Sequence, residues 1–460
     1  MSEPATKRGK DTNHEHETSN VNKQEQAQLN AQSSNATPRN LSRASMIEMF
    51  FDLVFIFCLN QLIPVVTQAP SGSVDWNTFY TFIFTTVLLL QIWFDVTLFM
   101  NGFGTAGPLD VLFLIVNVLL LVIMAQAASA TWENYLVYNT CWTLILANCC
   151  IHWLVRLKMI KNPDRQIIHI VRRTVGVMCA QIVVISVSDL FVGFAGQALC
   201  FVALALGFFS WSGRDAKRMN SHRYQHLADR SSLLMIMTFG ETVIAAGTYT
   251  GAQEHMVSGL LNILTILLMF LVYAIEINRA LDITKLKSGL GFMAITTIQA
   301  LIITNYTAAF DLMVQGEKLW IMDGSLYFSL SLAAFLLSFF AYIPFNKTGR
   351  TKGKRWIAVR LAACLACLGV SAVFVKMASG ALSLAGLRGL LSGALDTVGG
   401  LAPLLLHVHG AGYDFAPFIS TCAGLILVLI VIVLDWRNYG EEPRGMMKKL
   451  YGDFEGPKRM

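Results

Sequence analysis

The sequence predicts an all-α, polytopic transmembrane bundle of about 12 helices, and three observations lead there. The first is composition: 55% of the 460 residues are hydrophobic and 14% are charged, against about 45–50% apolar and about 25% charged in soluble domains. So few charges cannot cover that much apolar surface in a water-soluble fold. The second is segregation. Residues 1–45 are dominated by Asn, Gln, Ser, His and charge, a tail too polar to build a core, so the remainder is greasier than the average. The third is the alternation of basic loops. There is no Gly period and no heptad with flanking charges, and the nine cysteines all fall inside apolar runs. Collagen, coiled coil and disulfide scaffold are thereby excluded.

A hydrocarbon core of about 30 Å takes roughly 20 mostly apolar residues per helix. The first greasy run begins near Met46, and the tail before it has no apolar h-region, so it reads as a disordered cytosolic segment rather than a signal peptide. Spans 46–66, 76–101, 108–129 and 135–156 lead to a basic loop, Arg156 to Arg173. Spans 173–193 and 195–211 lead to a second one, Arg214 to Arg230, and spans 232–250 and 256–279 to Arg279, Lys285 and Lys287. Spans 289–313 and 321–345 precede the stretch Lys347 to Arg355; spans 356–378 and 415–435 precede the basic tail 436–460. With the first tail in the cytoplasm, 31 of the 35 Lys and Arg residues fall on that side, as the positive-inside rule requires. Both termini are therefore expected in the cytoplasm of a cell-membrane protein, with a first half at 46–211 and a second at 232–435.

Residues 380–406 are long and apolar enough to span but contain six glycines. A thirteenth crossing would carry the basic tail outside, so the segment is expected at the outer face, re-entrant, interfacial or as a loop. His407 and His409 at its end form an HxH without further ligands. Cys364 and Cys367 form a CxxC inside a greasy helix, where packing is the plainer reading.

An ionisable side chain within the bilayer costs about 2.5–3.5 kcal/mol on insertion scales, so each one inside a span needs a partner, a water cavity or a task. Glu48 and Asp52 share a face of the first span and together call for a cation, a proton or an arginine. Asp95 has Gln91 one turn away. Glu241 lies near the middle of its span with Thr238 on its face, beyond the reach of snorkelling. Glu276 has Arg279 three residues on, an i,i+3 pair. His152 and Arg156 share a face, and Asp189 and Asp311 lie toward outer ends. Asp52, Glu241, Glu48, Asp95 and Glu276 are the candidate coupling or substrate-site residues. If they are structural instead, Asp52 and Glu241 should pair with Arg156 or Arg230. The strings Phe50–Phe55 and Phe239–Ile244 align, as do Trp93–Thr97 and Ala274–Asn278, which suggests two parallel six-helix repeats.

The run Ile47-Glu48-Met49-Phe50-Phe51-Asp52-Leu53-Val54-Phe55 with Gln61 resembles the opening signature of the bacterial low temperature requirement A family. His226-Leu227-Ala228-Asp229-Arg230, then Phe239-Gly240-Glu241-Thr242-Val243-Ile244-Ala245, is similar to its second signature. Trp93 with Asn101-Gly102-Phe103-Gly104-Thr105 is similar to a third, although Gly104 stands where the family has Asp and Ser231-Ser232 replaces Phe-Gly. The resemblance implies a multi-pass membrane protein and marks His226, Asp229, Arg230, Gln61 and Asn101 as motif positions. It supplies no substrate, since the family is named for a growth phenotype. An F-x-D at the first helix is also similar to one in a family of organellar and bacterial potassium channels.

A secondary transporter coupled to protons or another cation through buried carboxylates explains most of this pattern. The alternatives are an ion channel, and a non-transporting scaffold or sensor supporting growth at low temperature. No Walker-type lysine motif, HExxH or paired nucleophile and base appears, so neither an enzyme nor a cofactor or metal is expected. His222 and His226 are i,i+4, but in a basic segment where a solvated face is the plainer reading. The expected partners are the lipid bilayer and a small ion or molecule. With no Lys/Arg stripe interleaved with aromatics, nucleic acid is not among them. Nothing in the sequence sets an oligomeric state.

Overall fold

The computed structural model of the protein describes residues 46–68, 73–74, 76–103, 107–129, 133–191, 193–211, 224–251, 255–281, 289–315, 318–319, 324–345, 357–358, 360–366, 369 and 415–438. The tail 1–45, the tail beyond Asn438, the 380–406 segment, His222, His407, His409 and Cys367 lie outside these residues, as does the side chain of Arg279.

The expected helical bundle is what the chain forms. In order come α1 (Met46–Asn60), α2 (Ile63–Thr67), β1 (Ser73–Val74), α3 (Trp76–Phe103), α4 (Pro108–Ala127), α5 (Tyr135–Met159), α6 (Arg165–Ser188) and α7 (Phe194–Trp211). Then follow α8 (Tyr224–Gly247), α9 (Met256–Ile275) with a π turn at Glu276–Ala280, α10 (Leu290–Gln315), β2 (Lys318–Leu319), α11 (Gly324–Ser338) with a 3-10 turn to Phe345, and α12 (Phe415–Asn438). Residues 360–366 are helical as well. Among the described residues nine helices are long and apolar enough to cross a membrane, and two shorter apolar ones, Phe194–Phe209 and Ser420–Val433, accompany them. Two spans begin earlier than hydropathy places them. α6 starts at Arg165 rather than 173 and α8 at Tyr224 rather than 232, because basic residues occupy first turns that hydropathy alone rejects.

Local chemistry sets the element ends. Pro108 opens α4, and the Asp110 carboxylate accepts a hydrogen bond from the Gly107 N–H at 3.0 Å, which satisfies an orphan donor of the first turn. Asn162 takes the left-handed conformation, φ 56°, between α5 and α6, a role Asn tolerates well. The first span is broken. Pro64 lies four residues after Asn60 and has no N–H to give that carbonyl, so the chain turns at Gln61–Leu62 (Gln61 N–H to Phe57 O, 3.1 Å; Leu62 N–H to Leu59 O, 3.1 Å) and restarts as α2.

Packing inverts the soluble pattern: apolar side chains face outward. On α4, Leu109, Leu112, Ile115, Leu119 and Ile123 are exposed, while Asp110, Leu114, Asn117 and Leu121 point inward. α3 is apolar on all sides and occupies the middle, with 89% of its apolar window buried against 33% for α4 and for α6. Gly207 lets two helices approach α7, since a Cβ there would meet the Gln91 and Gln181 side-chain amides. Those amides donate to Leu204 O at 3.1 Å and Ala203 O at 2.9 Å. At one end of the bundle β1 and β2 pair in parallel, Ser73 with Lys318 and Val74 with Leu319. The eight described cysteines are free.

Candidate functional site

Two adjoining features stand out inside the bundle: a ladder of buried ion pairs, and beyond it a polar cavity.

The ladder joins α1 to α8. Glu48 and Asp52 stand one turn apart on α1, and His226 and Arg230 stand one turn apart on α8. His226 Nε2 lies 3.2 Å from Glu48 Oε2, and Arg230 holds Asp52 through Nη2 at 2.5 Å and Nε at 3.3 Å. Both rungs join residues 178 apart, so α1 and α8 run parallel in register. Helices that run parallel are separated by an even number of crossings, which agrees with the six spans between their starts. α3 closes the third side: Trp93 Nε1 donates to Asp52 Oδ1 at 2.8 Å, and the Arg230 guanidinium stands 5.9 Å from the Trp93 ring centroid. His226 Nδ1 faces Asn101 Oδ1 at 3.2 Å. Both imidazole nitrogens thus face side-chain oxygens. Asp52 and Arg230 have no exposed surface and Glu48 only 1%. Two acids and two bases are thus enclosed together away from water.

Two further ion pairs lie in the bundle. Asp110 on α4 accepts from Arg156 Nη2 at 2.6 Å and sits 2.8 Å from His152 Nε2, both on α5. The His152 ring is stacked on Phe113, with centroids 4.4 Å apart. Arg360 Nη2 donates to Glu276 Oε1 at 2.7 Å, its guanidinium 4.7 Å from the Phe339 ring centroid. Asp95 is buried near His152, Asn117 and Cys149.

The cavity lies past the ladder, between α1, α2, α8 and α10. Its narrow part, about 20 Å³, is lined by Asn60, Thr238, Glu241, Thr242, Thr304 and Thr307 together with Ile56, Leu59 and Ile63. Asn60, Ile63, Thr242 and Thr307 also line a wider part of about 240 Å³, which reaches Gln61, Tyr249, Asn262 and Asp311. Glu241 is half-buried near the middle of the span His226–Gly251. No hydrogen bond or ion pair from the described residues reaches its carboxylate.

The family model for the bacterial low temperature requirement A protein matches residues 43–391, most of the chain. The protein belongs to that family. No curated protein and no solved structure matches it. The low temperature requirement A signatures converge in space: Glu48 and Asp52 from the first meet His226 and Arg230 from the second and Trp93 and Asn101 from the third. Gln61 is half-buried, lines the wide cavity and accepts from Gln126 Nε2 at 3.2 Å, while Asp229 is exposed.

Two readings of the sequence need correction. His226 is a buried partner of Glu48, not part of a solvated basic face, because α8 begins at Tyr224 and draws it into the bundle, together with Arg230, which pairs with Asp52 as the structural alternative had it. Glu276 also has a partner that sequence reasoning missed, Arg360, far along the chain; the expected i,i+3 pair with Arg279 involves a side chain outside the described residues. Arg156 holds Asp110, an acid that hydropathy did not single out and that the Gly-Pro-x-Asp capping spacing could have flagged. The suggested internal repeat finds no echo in these contacts. Asp52 is fully buried and doubly bound to Arg230, whereas its counterpart Glu241 is half-buried on a cavity wall.

Proposed function

We propose that this family member is a secondary transporter coupled to a proton or another cation, that it moves a small solute rather than transforming it, and that Glu241 is the coupling carboxylate. One observation carries this reading: Glu241 lies near mid-span on a cavity wall with no ion-pair partner among the described residues, whereas Asp52, Asp110 and Glu276 each hold an arginine and Glu48 faces His226. A carboxylate kept in the membrane without a built-in counter-charge needs one from outside the protein. The wide part of the cavity has room for a small solute and the narrow part for a coupling ion. Toward the opposite end, Phe51, Phe55, Trp93 and the Asp52–Arg230 pair fill the space between α1, α3 and α8. Closure on one side of a site fits a carrier better than an open pore. The cavity shares its end of the bundle with the β1–β2 pair, which this topology puts outside.

The reading is tested by flux into proteoliposomes across a panel of cations and small metabolites, with and without a pH gradient. Glu241→Gln should insert and fold as the parent does, while its flux falls to background or loses its dependence on the gradient. A well-folded Glu241→Gln protein with unchanged, still-coupled flux would remove Glu241 from the mechanism. The topology is tested separately with reporter tags. Tags at 20, 220, 350 and 455 should report cytoplasm, and tags at 72, 253 and 318 the outside. An external tag at 455 would mean that the 380–406 segment crosses the membrane.

A further inference from the structure

We infer that the narrow part of the cavity is a binding site for a small monovalent metal cation of the sodium class, held by the Glu241 carboxylate and threonine hydroxyl oxygens. The inference rests on the transporter reading of the same cavity and deepens it by naming the coupling ion.

The argument turns on where the hydroxyl protons go. Thr238 Oγ1 donates to Leu234 O at 2.8 Å, Thr242 Oγ1 to Thr238 O at 2.9 Å and Thr304 Oγ1 to Ala300 O at 3.0 Å. Thr307 Oγ1 has its single proton directed to Ile303 O at 3.0 Å or to Thr242 Oγ1 at 3.1 Å. A hydroxyl carries one donor and two acceptor lone pairs. With every proton committed to a helix carbonyl or a neighbouring hydroxyl, these four side chains have only lone pairs left to offer an occupant. Glu241, when ionised, also only accepts. The Asn60 main-chain carbonyl lacks its usual helical donor, because Pro64 supplies none. The wall is therefore rich in acceptors and carries no basic side chain, which selects a cation and rejects an anion.

Size and charge narrow the class. A cavity of about 20 Å³ holds about one water-sized occupant, since roughly 10–15 Å³ is needed for one. That leaves room for a desolvated ion but not for an ammonium carrying an organic body. The Glu241 carboxylate and the four threonine hydroxyls offer oxygen, as can the Asn60 amide through its carbonyl, and oxygen suits hard cations. A single carboxylate on this wall balances one positive charge. Among the described residues no group of three or more His, Cys, Asp or Glu could hold a metal, so the divalent and transition metals that rely on such sets are disfavoured. A proton alone would need the carboxylate but not the surrounding oxygens. The cavity also sits where α1 breaks into α2, and broken helices in carriers are where main-chain carbonyls meet ions.

The test is thermal unfolding of the detergent-purified full chain, with sodium chloride replaced stepwise by choline chloride at constant ionic strength. A ligand that binds only the folded state raises the midpoint in a saturable way. The parent should show that rise with sodium, and a weaker one with potassium. Glu241→Gln should lose it. Thr242→Val and Thr307→Val keep the side-chain shape while removing the oxygen, and each should need at least about tenfold more sodium for the same shift, the effect of about 1.4 kcal/mol. These two variants keep the test decisive should Glu241→Gln fold poorly. A parent midpoint that follows ionic strength alone overturns the site, as does an undiminished sodium response in Glu241→Gln or in both threonine variants. An equal response to potassium overturns the size assignment. The two readings fail differently. Sodium-independent, proton-driven flux that dies in Glu241→Gln leaves the transporter standing and removes the sodium site. A sodium shift without flux of any solute does the reverse.

Discussion

Asp52→Asn should give a protein destabilised by about 3–5 kcal/mol, because it strands a buried cation. Arg230 has no exposed surface and meets Asp52 through two of its nitrogens. Asparagine keeps the shape and one acceptor oxygen, but it turns an amide N–H₂ toward a guanidinium and removes the negative charge. Trp93 then competes with Arg230 for the remaining oxygen. The guanidinium has no route to water, since the ladder is enclosed by α1, α3 and α8. Arg230→Met alone should be comparably damaging, as it leaves the carboxylate behind. The double change Asp52→Leu with Arg230→Met should recover most of the loss, because replacing a whole buried pair by apolar volume is often neutral. Thermal midpoints of the four proteins in one detergent measure this, and the non-additivity of the cycle gives the coupling. An Asp52→Asn midpoint equal to that of the parent would mean that the pair carries no stability. This loss would appear before any transport is measured, which separates Asp52 from Glu241, whose neutralisation leaves no cation behind.

Breaking the Glu276–Arg360 pair should cost a similar amount, about 3 kcal/mol or more. Here the geometry adds a requirement on the cation. Arg360 reaches Glu276 with one arm at 2.7 Å and the Leu336 carbonyl with the other at 3.4 Å, while its plane lies against Phe339. A lysine cannot form that fork or present a flat face to the ring. Arg360→Lys should therefore recover only a minor part of what Arg360→Met loses, although it keeps the charge. Cooperative unfolding followed by tryptophan fluorescence distinguishes the cases. If Arg360→Lys matched the parent, charge alone would be the requirement and the fork would be incidental.

The spans were legible in the sequence because a bilayer demands long apolar runs. Half of the ladder was legible too. Glu48 with Asp52, and His226 with Arg230, each show an i,i+4 spacing that puts both members on one face. Arg230 was one of two partners the sequence offered Asp52; that it is Arg230 and not Arg156 could not be read, since nothing local records a contact across 178 residues. The density of basic residues from Arg214 to Arg230 concealed the start of α8 and made His226 look like part of a solvated face. Glu276 shows a different gap: the sequence offered a neighbour three residues away, and nothing local pointed to the distant arginine that holds the carboxylate. Glu241 stood out by its position within an apolar run. Its surroundings did not, because a threonine in a membrane helix bonds to the carbonyl four residues back whether it faces lipid or a cavity, and only the neighbouring helices tell which.

The short pairing of β1 with β2 limits how this protein can change shape. It fastens the turn leading into α3 to the turn between α10 and α11, so those helix ends behave as one piece at the end of the bundle where the wide cavity lies. Two parallel strands of two residues are a small clamp, but parting them would leave peptide groups unbonded. α2 and α10 form one wall of the cavity and cannot draw away from each other without undoing it. The opposite wall is fastened by side chains instead: on α10, Tyr306 donates to Asn262 of α9 at 2.6 Å and Thr307 Oγ1 lies 3.1 Å from Thr242 Oγ1 of α8. Widening at that end therefore has to part either the strand pair or these side-chain bonds, and Glu241 travels only if α8 takes the second course.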